Sequence, residues 1–278
     1  MDLVKAFKQG IVAQDGDKEK KSFWASDCER NAFDLYHAWK GTPPTNPFDQ
    51  KSLWRFACGK AAEERLVDIL QYQGVVAEAG DQHRIEFDYK GVPITGYADL
   101  KLTDGTVCEI KSYYGDYQAS DLLAGNPKLS YLKQLAVYMY AERLGQGILY
   151  MVPMPMGEHF QFILHQTDEG KFTCNEQSFD LTEEFERWKE LYENNILPGV
   201  EPPSDYVYKY DIETMDWTKV PKSNISKARN GHKVIGDWQV PYSPYKELII
   251  EREGTTEGYS LEELERIKEI TAGYTSKF

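Results

Sequence analysis

Three charged side chains in a strand-like stretch have the types and the spacing that could perform chemistry. Asp99 comes first, and the triplet Glu109-Ile110-Lys111 follows after a short interval. Because side chains alternate along a strand, Glu109 and Lys111 share one face while Ile110 points to the other, into the core. The Asp104-Gly105 dipeptide between them predicts a hairpin that brings Asp99 beside that same face.

Two carboxylates and one ammonium at one place predict a hydrolytic metal centre. Carboxylates about 4 Å apart repel by roughly 4 kcal/mol at an effective dielectric constant of about 20. A hard divalent cation such as Mg²⁺, for which we expect Mn²⁺ to substitute, relieves this repulsion through oxygen ligands. Lys111 cannot ligate while protonated, but it can orient or deprotonate a water or neutralise charge on a phosphate. These parts suit phosphodiester hydrolysis.

A third carboxylate, Glu63, lies on a predicted helix over residues 60–73. It shares its face with Leu66, Val67 and Leu70, so an acid interrupts an apolar stripe. Such a residue carries a burial cost that metal ligation would explain. We expect Gly59 to open this helix and to permit a close backbone approach. Taken singly, each of these features is usually structural; an acid-x-lysine triplet is most often a solvated strand edge.

The surrounding pattern predicts an α/β fold with a central mixed β-sheet flanked by helices, and with helical amino- and carboxy-terminal elaborations. We interpret residues 1–278 as a single domain with its core at about 55–200, a helical cap at 1–54 and an elaboration at 201–278. The predicted strands are 83–89, 92–102, 106–112, 147–152 and 160–165. The predicted helices are 60–73, 129–144, 181–194 and 261–270, with a helical segment at about 22–40 that ends at Gly41.

Composition limits the classes of protein to consider. The chain has 278 residues, a net charge of −13 and four scattered cysteines without a CxxC pair, which argues against a disulfide framework and favours a cytoplasmic protein. No apolar run is long enough for a membrane span, and the amino terminus lacks a secretory signal. The acidity argues against DNA binding by the chain as a whole. Acidic residues are concentrated at 176–216 and 247–269, so a locally basic cleft remains compatible with it.

Four short motifs occur in one order, and we take them together. They read Gly59-Lys-Ala-Ala-Glu63, Gly96-Tyr-Ala-Asp99, Glu109-Ile-Lys111 and Gln134-Leu-Ala-Val-Tyr138. In these motifs the chain resembles the RecB-like branch of the PD-(D/E)XK nuclease superfamily, which includes the CRISPR-associated iron–sulfur exonucleases. The resemblance covers about residues 59–138 and implies a restriction-endonuclease-like core.

The resemblance also implies roles for the acidic residues and the lysine. Asp99 and Glu109 would ligate the metal, Glu63 would complete its shell, and Lys111 would serve the attacking water. All four would therefore be catalytic residues.

Further residues are candidates for support or for substrate contact. By the resemblance, Gln134 and Tyr138, four apart on one helix face, would support the site or touch the DNA backbone; packing is the alternative for Tyr138. Tyr114 and Lys128 belong to a stretch that interleaves aromatic and basic side chains, which can stack bases and hold phosphates. The alternative is that such tyrosines close the core and the lysines are solvated.

The implied activity is a metal-dependent DNA exonuclease that acts on single-stranded or duplex ends in recombination, repair or phage DNA processing. A recombination protein is a possible partner. Two alternatives keep the same fold: a structure-specific endonuclease, and a non-catalytic DNA-binding or assembly module. A third is a phosphoesterase acting on small molecules, which the net acidity supports.

Many members of this branch hold a four-iron cluster through one early cysteine and three late ones. Here only Cys28 stands in the early segment, and Val240, Ser243 and Ile249 occupy the late positions. One thiolate cannot hold a cluster, so we expect no iron–sulfur centre. We expect apolar contacts between the two ends of the chain to replace it, through Trp238, Tyr242 and Tyr245.

Overall fold

A computed structural model describes residues 20–79, 83–203 and 206–273. The chain divides into two compact units. The first contains Ala38–Gly41 and Asp49–Glu201 together with the residues up to Arg30, and the second contains Asn31–His37, Thr42–Phe48 and the residues from Pro202 onward. Within the described part of the chain, no helix is both long enough and apolar enough to cross a membrane.

The regular elements are numbered in chain order. The strands are β1 (Phe23–Trp24), β2 (Val76–Ala79), β3 (Arg84–Tyr89), β4 (Val92–Tyr97), β5 (Leu100–Leu102), β6 (Val107–Tyr114), β7 (Gln146–Met154), β8 (Phe160–Asp168), β9 (Lys171–Cys174) and β10 (Gln177–Asp180). The α-helices are α1 (Ala32–Trp39), α2 (Gln50–Tyr72), α3 (Gly115–Leu123), α4 (Leu129–Glu142), α5 (Leu181–Leu191), α6 (Lys222–Arg229), α7 (Lys246–Arg252) and α8 (Leu261–Ile270).

A seven-stranded sheet in the order β10-β9-β8-β7-β6-β5-β2 forms the centre of the first unit. It is mixed, because β6 and β7 run parallel while its other neighbours are antiparallel. Helices α2 and α4 pack on β6 and β7. The apolar side of α2 covers a buried cluster that joins Leu100, Cys108, Ile110 and Val152. The predicted α/β fold, a mixed sheet flanked by helices, is confirmed.

The predicted hairpin is also confirmed. Strands β5 and β6 are antiparallel, with Leu100 opposite Cys108. The backbone amide of Leu102 donates to the carbonyl of Thr106 at 2.8 Å, which closes the turn around Asp104 and Gly105. This pairing places the residue before β5 next to the middle of β6.

The predicted strand over residues 92–102 is wrong in one respect, because it divides into two. β4 joins β1 and β3 in a three-stranded sheet, whereas β5 belongs to the seven-stranded one. Ala98 and Asp99 lie in the break, where the amide of Ala98 donates to the carbonyl of His83 at 3.2 Å. The chain therefore leaves one sheet for the other at the residue that the sequence singled out for metal binding.

The helix predicted at 60–73 begins earlier than expected. Asp49 caps it, since its carboxylate accepts a hydrogen bond from the amide of Ser52 at 2.7 Å. Gly59 lies inside α2 and does not open it. The extra turns escaped the periodicity argument because their large side chains, Trp54 and Phe56, are exposed. In the 22–40 segment, likewise, only α1 is an α-helix, and β1 precedes it.

The second unit buries all three positions at which the resemblance called for cysteines. Val240 and Ile249 pack in one apolar cluster with Phe33 and Tyr245. The Ser243 hydroxyl donates to the Asp34 carboxylate at 2.7 Å, and both side chains are buried. The expected packing of early and late segments is confirmed for Tyr245.

The same expectation is wrong for Trp238 and Tyr242. Both are largely exposed, and their rings contact each other with centroids 6.3 Å apart. The apolar contact between early and late segments is made by Val240 and Ile249 together with Tyr245, which pack in one cluster with Phe33. Within this unit, the Ser243–Asp34 hydrogen bond adds a polar contact to the apolar ones.

We predict that Ser243→Ala destabilises the protein by about 1.5–3 kcal/mol, because a buried carboxylate loses a hydrogen-bond donor. The measurement is the free energy of unfolding from urea denaturation. Ser226→Ala, at an exposed position of α6, is the matched control and is expected to stay within about 0.5 kcal/mol of wild type. Equal stabilities of the two variants would show that the buried bond contributes nothing.

Candidate active site

Asp99 and Glu109 lie side by side at the junction of β5 and β6. The Asp99 carboxylate accepts a hydrogen bond from the backbone amide of Ile110 at 2.6 Å. That hydrogen bond holds the Asp99 carboxylate at the backbone of Ile110, the residue after Glu109. Asp99 itself lies in the break between β4 and β5, outside regular strand pairing. The hairpin thus brings together two acids that are ten positions apart in the sequence.

Glu109 is the most deeply buried acid of this group, with only 1% of its surface exposed. Its carboxylate forms an ion pair with the Lys111 ammonium. Both carboxylate oxygens are inaccessible to solvent. Burial raises the pKa of Glu109, whereas the charge of Lys111 and side-chain hydrogen bonds to Lys111 and Tyr138 lower it. A buried carboxylate needs a nearby positive charge to offset the cost of its burial, and Lys111 supplies part of that charge.

Glu63, on α2, lies within electrostatic reach of the same acids and of Lys111. Burial raises the pKa of Asp99 well above its usual range, and the charges of Glu109 and Glu63 raise it further. Burial likewise raises the pKa of the half-buried Glu63, with Glu109 the next cause and Lys111 acting in the opposite direction. Three mutually repelling carboxylates therefore share one ammonium.

Lys111 is held as a cation by this environment. Burial by itself would lower the pKa of Lys111, but the charges of Glu109 and Asp99 outweigh it and raise the pKa above the usual lysine value. The ammonium also lies 5.5 Å from the centroid of the Tyr131 ring. Two acids and one aromatic face thus stabilise its charge.

Gln134 and Tyr138 pack behind the acids on α4. The Gln134 amide donates to the Tyr138 hydroxyl at 2.8 Å, and both side chains are buried. Burial and the nearby charge of Glu109 raise the pKa of Tyr138. The structure therefore places these two residues behind the acids, where the side chain of Tyr138 is 1% exposed; a supporting role stays a prediction.

The two glycines of the motifs permit close packing. A Cβ atom at Gly96 would lie 2.6 Å from the ring of Tyr138, and one at Gly59 would lie 2.9 Å from the hydroxyl of Ser112. Gly59 thus serves the predicted close approach from within α2. The missing side chains allow two pairs of elements to pack closely. At Gly59, α2 packs against β6, and at Gly96, β4 packs against α4.

Tyr114 and Lys128 lie at the periphery of this group. The Tyr114 hydroxyl donates to the carbonyl of Arg55 at 3.0 Å and ties the end of β6 to α2. Lys128 is exposed at the start of α4, with its ammonium 5.4 Å from the Tyr131 ring centroid. Lys133, by contrast, forms ion pairs with Glu29 and Glu184, with nitrogen–oxygen distances of 3.2 and 3.5 Å.

Carboxylate oxygens are suitable ligands for a divalent cation, but the three acids do not form a group of three ligands. Among residues 20–79, 83–203 and 206–273, no three acidic, histidine or cysteine side chains are arranged to hold one ion. The shell of Glu63, Asp99 and Glu109 expected from the sequence is therefore not assembled. Mg²⁺ commonly uses one or two carboxylates and keeps waters or substrate phosphates as its other ligands. Asp99 and Glu109 meet that requirement, and a ligand role for Glu63 stays a prediction.

Sequence reasoning missed the helix that borders the site. The predicted strand over 106–112 was followed by no predicted helix, whereas β6 continues to Tyr114 and α3 begins at Gly115. The signal for this turn was the glycine itself, whose φ of 74° ends the strand. The sequence therefore did not show that the chain continues after β6 as a helix packed against it.

Comparison with known proteins gives limited matches. No family model matches the sequence, and no curated protein matches it. Solved structures that are similar include SSO0001, which is 16% identical over 73% of this chain and 89% of its own, with a TM-score of 0.44. The alkaline exonuclease LHK-Exo from Laribacter hongkongensis is 12% identical over 70% of this chain and 95% of its own, with a TM-score of 0.42. Its complex with dAMP is 13% identical at the same TM-score. Matches at this level say nothing about activity.

We predict that Gly96→Ala destabilises the protein by about 1–3 kcal/mol, because the added methyl would overlap the Tyr138 ring. Chemical denaturation measures the effect. Gly145→Ala is the control, since nothing lies within 4 Å of a Cβ at that position. If Gly96→Ala were as stable as Gly145→Ala, Tyr138 would not be held against the strand as described.

Proposed function

We propose that the chain is a metal-dependent deoxyribonuclease with a restriction-endonuclease-like core, acting at the ends of DNA. One observation supports it above the others: the Glu109 carboxylate is buried beside Asp99, with the Lys111 ammonium as the cation paired with it. A fold gains nothing from placing repelling acids together unless a cation joins them. The proposed preference for DNA ends rests on the four motifs and on their resemblance to those of RecB-like nucleases.

The chain's own groups have distinct tasks in this proposal. Asp99 and Glu109 would hold a Mg²⁺ ion, which when bound supplies polarisation of the phosphate and activation of the attacking water. Lys111 is placed to stabilise negative charge that develops on the phosphate during attack. Gln134 and Tyr138 position Glu109 from behind and have no part in proton transfer.

Local charge makes nucleic acid a reasonable substrate in spite of the net acidity. The ammonium groups of Lys111 and Lys128 both lie within 5.5 Å of the centroid of one ring, that of Tyr131. Two cations close to one aromatic ring can contact phosphates locally, and such local contacts do not depend on the net charge of the whole chain.

A panel of substrates separates this activity from its rivals. End-labelled linear DNA, a circular single strand and p-nitrophenyl phosphate are incubated with Mg²⁺. An exonuclease degrades the linear DNA and spares the circle, whereas an endonuclease of the same fold cuts both. Turnover of the small ester alone would replace the proposal with a small-molecule phosphoesterase, and no turnover at all would favour a DNA-binding module.

We predict that Lys111→Ala lowers the cleavage rate by about 10²- to 10³-fold, because one electrostatic contact to the reacting phosphate is lost. It should leave metal binding intact, so that saturating Mg²⁺ still raises the melting temperature. Asp99→Ala should lose both cleavage and the metal-induced rise. Cleavage rates and thermal melts with and without Mg²⁺ measure this division.

The controls are Lys111→Arg, which keeps the charge and should retain part of the rate, and Lys171→Ala, an exposed lysine on β9 that should behave as wild type. A metal-induced rise in Asp99→Ala equal to that of wild type would place the ion elsewhere. Undiminished cleavage by Lys111→Ala would remove the lysine from the chemistry.

A further inference from the structure

A cavity of about 280 Å³ lies next to the end of β6. Ser112 and Tyr113, the two residues after Lys111, form part of its lining, and so does Met151, the register partner of Lys111 on β7. The cavity is therefore a neighbour of the strand position that carries Lys111. Its volume lies just below the range of roughly 300–1,000 Å³ typical of ligand pockets, which suits one small planar group and its linker.

The outer walls of the cavity come from α3 and from the start of α4. Tyr117 on α3 lines the cavity and has 82% of its surface exposed, so its ring is accessible to a ligand from solvent. Tyr131, on the other wall, is fixed by the ammonium groups of Lys111 and Lys128. Proteins stack unpaired bases on aromatic side chains that lie next to cations, and this stacking accepts any of the bases.

The remaining lining groups set an orientation for such a ligand. Gln118, Asp121 and Asn126 offer donors and acceptors of the kind that the edge of a base requires. The Asp121 carboxylate repels phosphate, whereas Lys128 attracts it. The base therefore belongs between Tyr117 and the polar groups, and the phosphate belongs toward Lys128 and Lys111.

From this lining we infer that the cavity bounded by Tyr117, Gln118, Asp121, Asn126, Lys128 and Tyr131 binds one unpaired nucleotide of a DNA strand, with its base stacked on Tyr117 and its phosphate directed to Lys128. This inference rests on the proposed function for the identity of the polymer. It adds the substrate class: a single strand is bound through a base that is not paired, so duplex DNA cannot fill the cavity without losing a base pair.

The test measures binding without chemistry. A fluorescein-labelled decathymidylate is titrated with protein in excess chelator, and the Kd is read from fluorescence anisotropy. Tyr117→Ala is expected to weaken binding by about 5- to 100-fold, the range for losing one base–aromatic stack. Tyr72→Ala is the matched control, because Tyr72 is 89% exposed on α2 and does not line the cavity. It should bind as wild type does.

A second variant tests the phosphate. Lys128→Gln should reduce the slope of log Kd against log salt by about 0.7, the value for one lost phosphate contact to a single strand. Lys171→Gln, the corresponding control on β9, should leave the slope unchanged. A blunt hairpin duplex should bind Tyr117→Ala and wild type equally, since its bases remain paired.

These outcomes separate the cavity from the catalytic proposal. Equal Kd values of Tyr117→Ala and wild type for decathymidylate overturn the inference, even if the protein cleaves DNA with Mg²⁺. An equal loss in Tyr72→Ala would also overturn it, because the effect would then be unspecific. A selective loss in Tyr117→Ala supports the cavity even if no cleavage is found with any metal, in which case the proposed nuclease activity alone fails.

Discussion

The burial of the Glu109 carboxylate beside Asp99 is the constraint on which the rest of the first unit depends. An acid with 1% exposure and a second acid beside it would ordinarily protonate or move apart. Here the backbone prevents separation, since Asp99 is bound to the amide of Ile110 and Glu109 is locked in β6. The strain is eased by Lys111 from the same strand, and a divalent cation would relieve it further.

Neighbouring elements are shaped by this arrangement. The chain must leave the three-stranded sheet and enter the seven-stranded one at Asp99, which is why β4 and β5 are separate. Helix α4 must approach closely enough to place Tyr138 behind Glu109, and Gly96 provides the space. Helix α2 must bring Glu63 within electrostatic reach, and Gly59 allows that approach against Ser112. A cluster of repelling charges is thus held by ordinary packing around it.

Much of this could be predicted from the sequence, for identifiable reasons. The alternation that puts Glu109 and Lys111 on one face is local, and the Asp104-Gly105 turn specifies its own hairpin. Helix α8 was predicted with its observed limits because Ser260 and Glu263 cap it reciprocally. Where periodicity was absent, prediction failed. The first half of α2 exposes large side chains, and α3 follows a tyrosine-rich strand without a polar interval.

Two features of the structure could not be predicted from local sequence patterns. The break between β4 and β5 depends on which sheet each strand joins, and that choice is made by distant partners such as β1 and β2. The burial of Ser243 against Asp34 joins residues far apart in the chain. The resemblance drew attention to position 243, but the sequence did not show that Ser243 donates a hydrogen bond to Asp34.

The most direct test of the central claim is cleavage of end-labelled single-stranded DNA by wild type and by Glu109→Gln, each in Mg²⁺ and in excess chelator. Glutamine keeps the shape of the buried side chain and removes its charge, so the variant tests the charge of Glu109 and not its volume. We expect wild type to cleave the DNA in Mg²⁺ but not in chelator, and Glu109→Gln to cleave at least about 10³-fold more slowly. Wild-type cleavage that persists in chelator, or a Glu109→Gln variant as active as wild type, would contradict it.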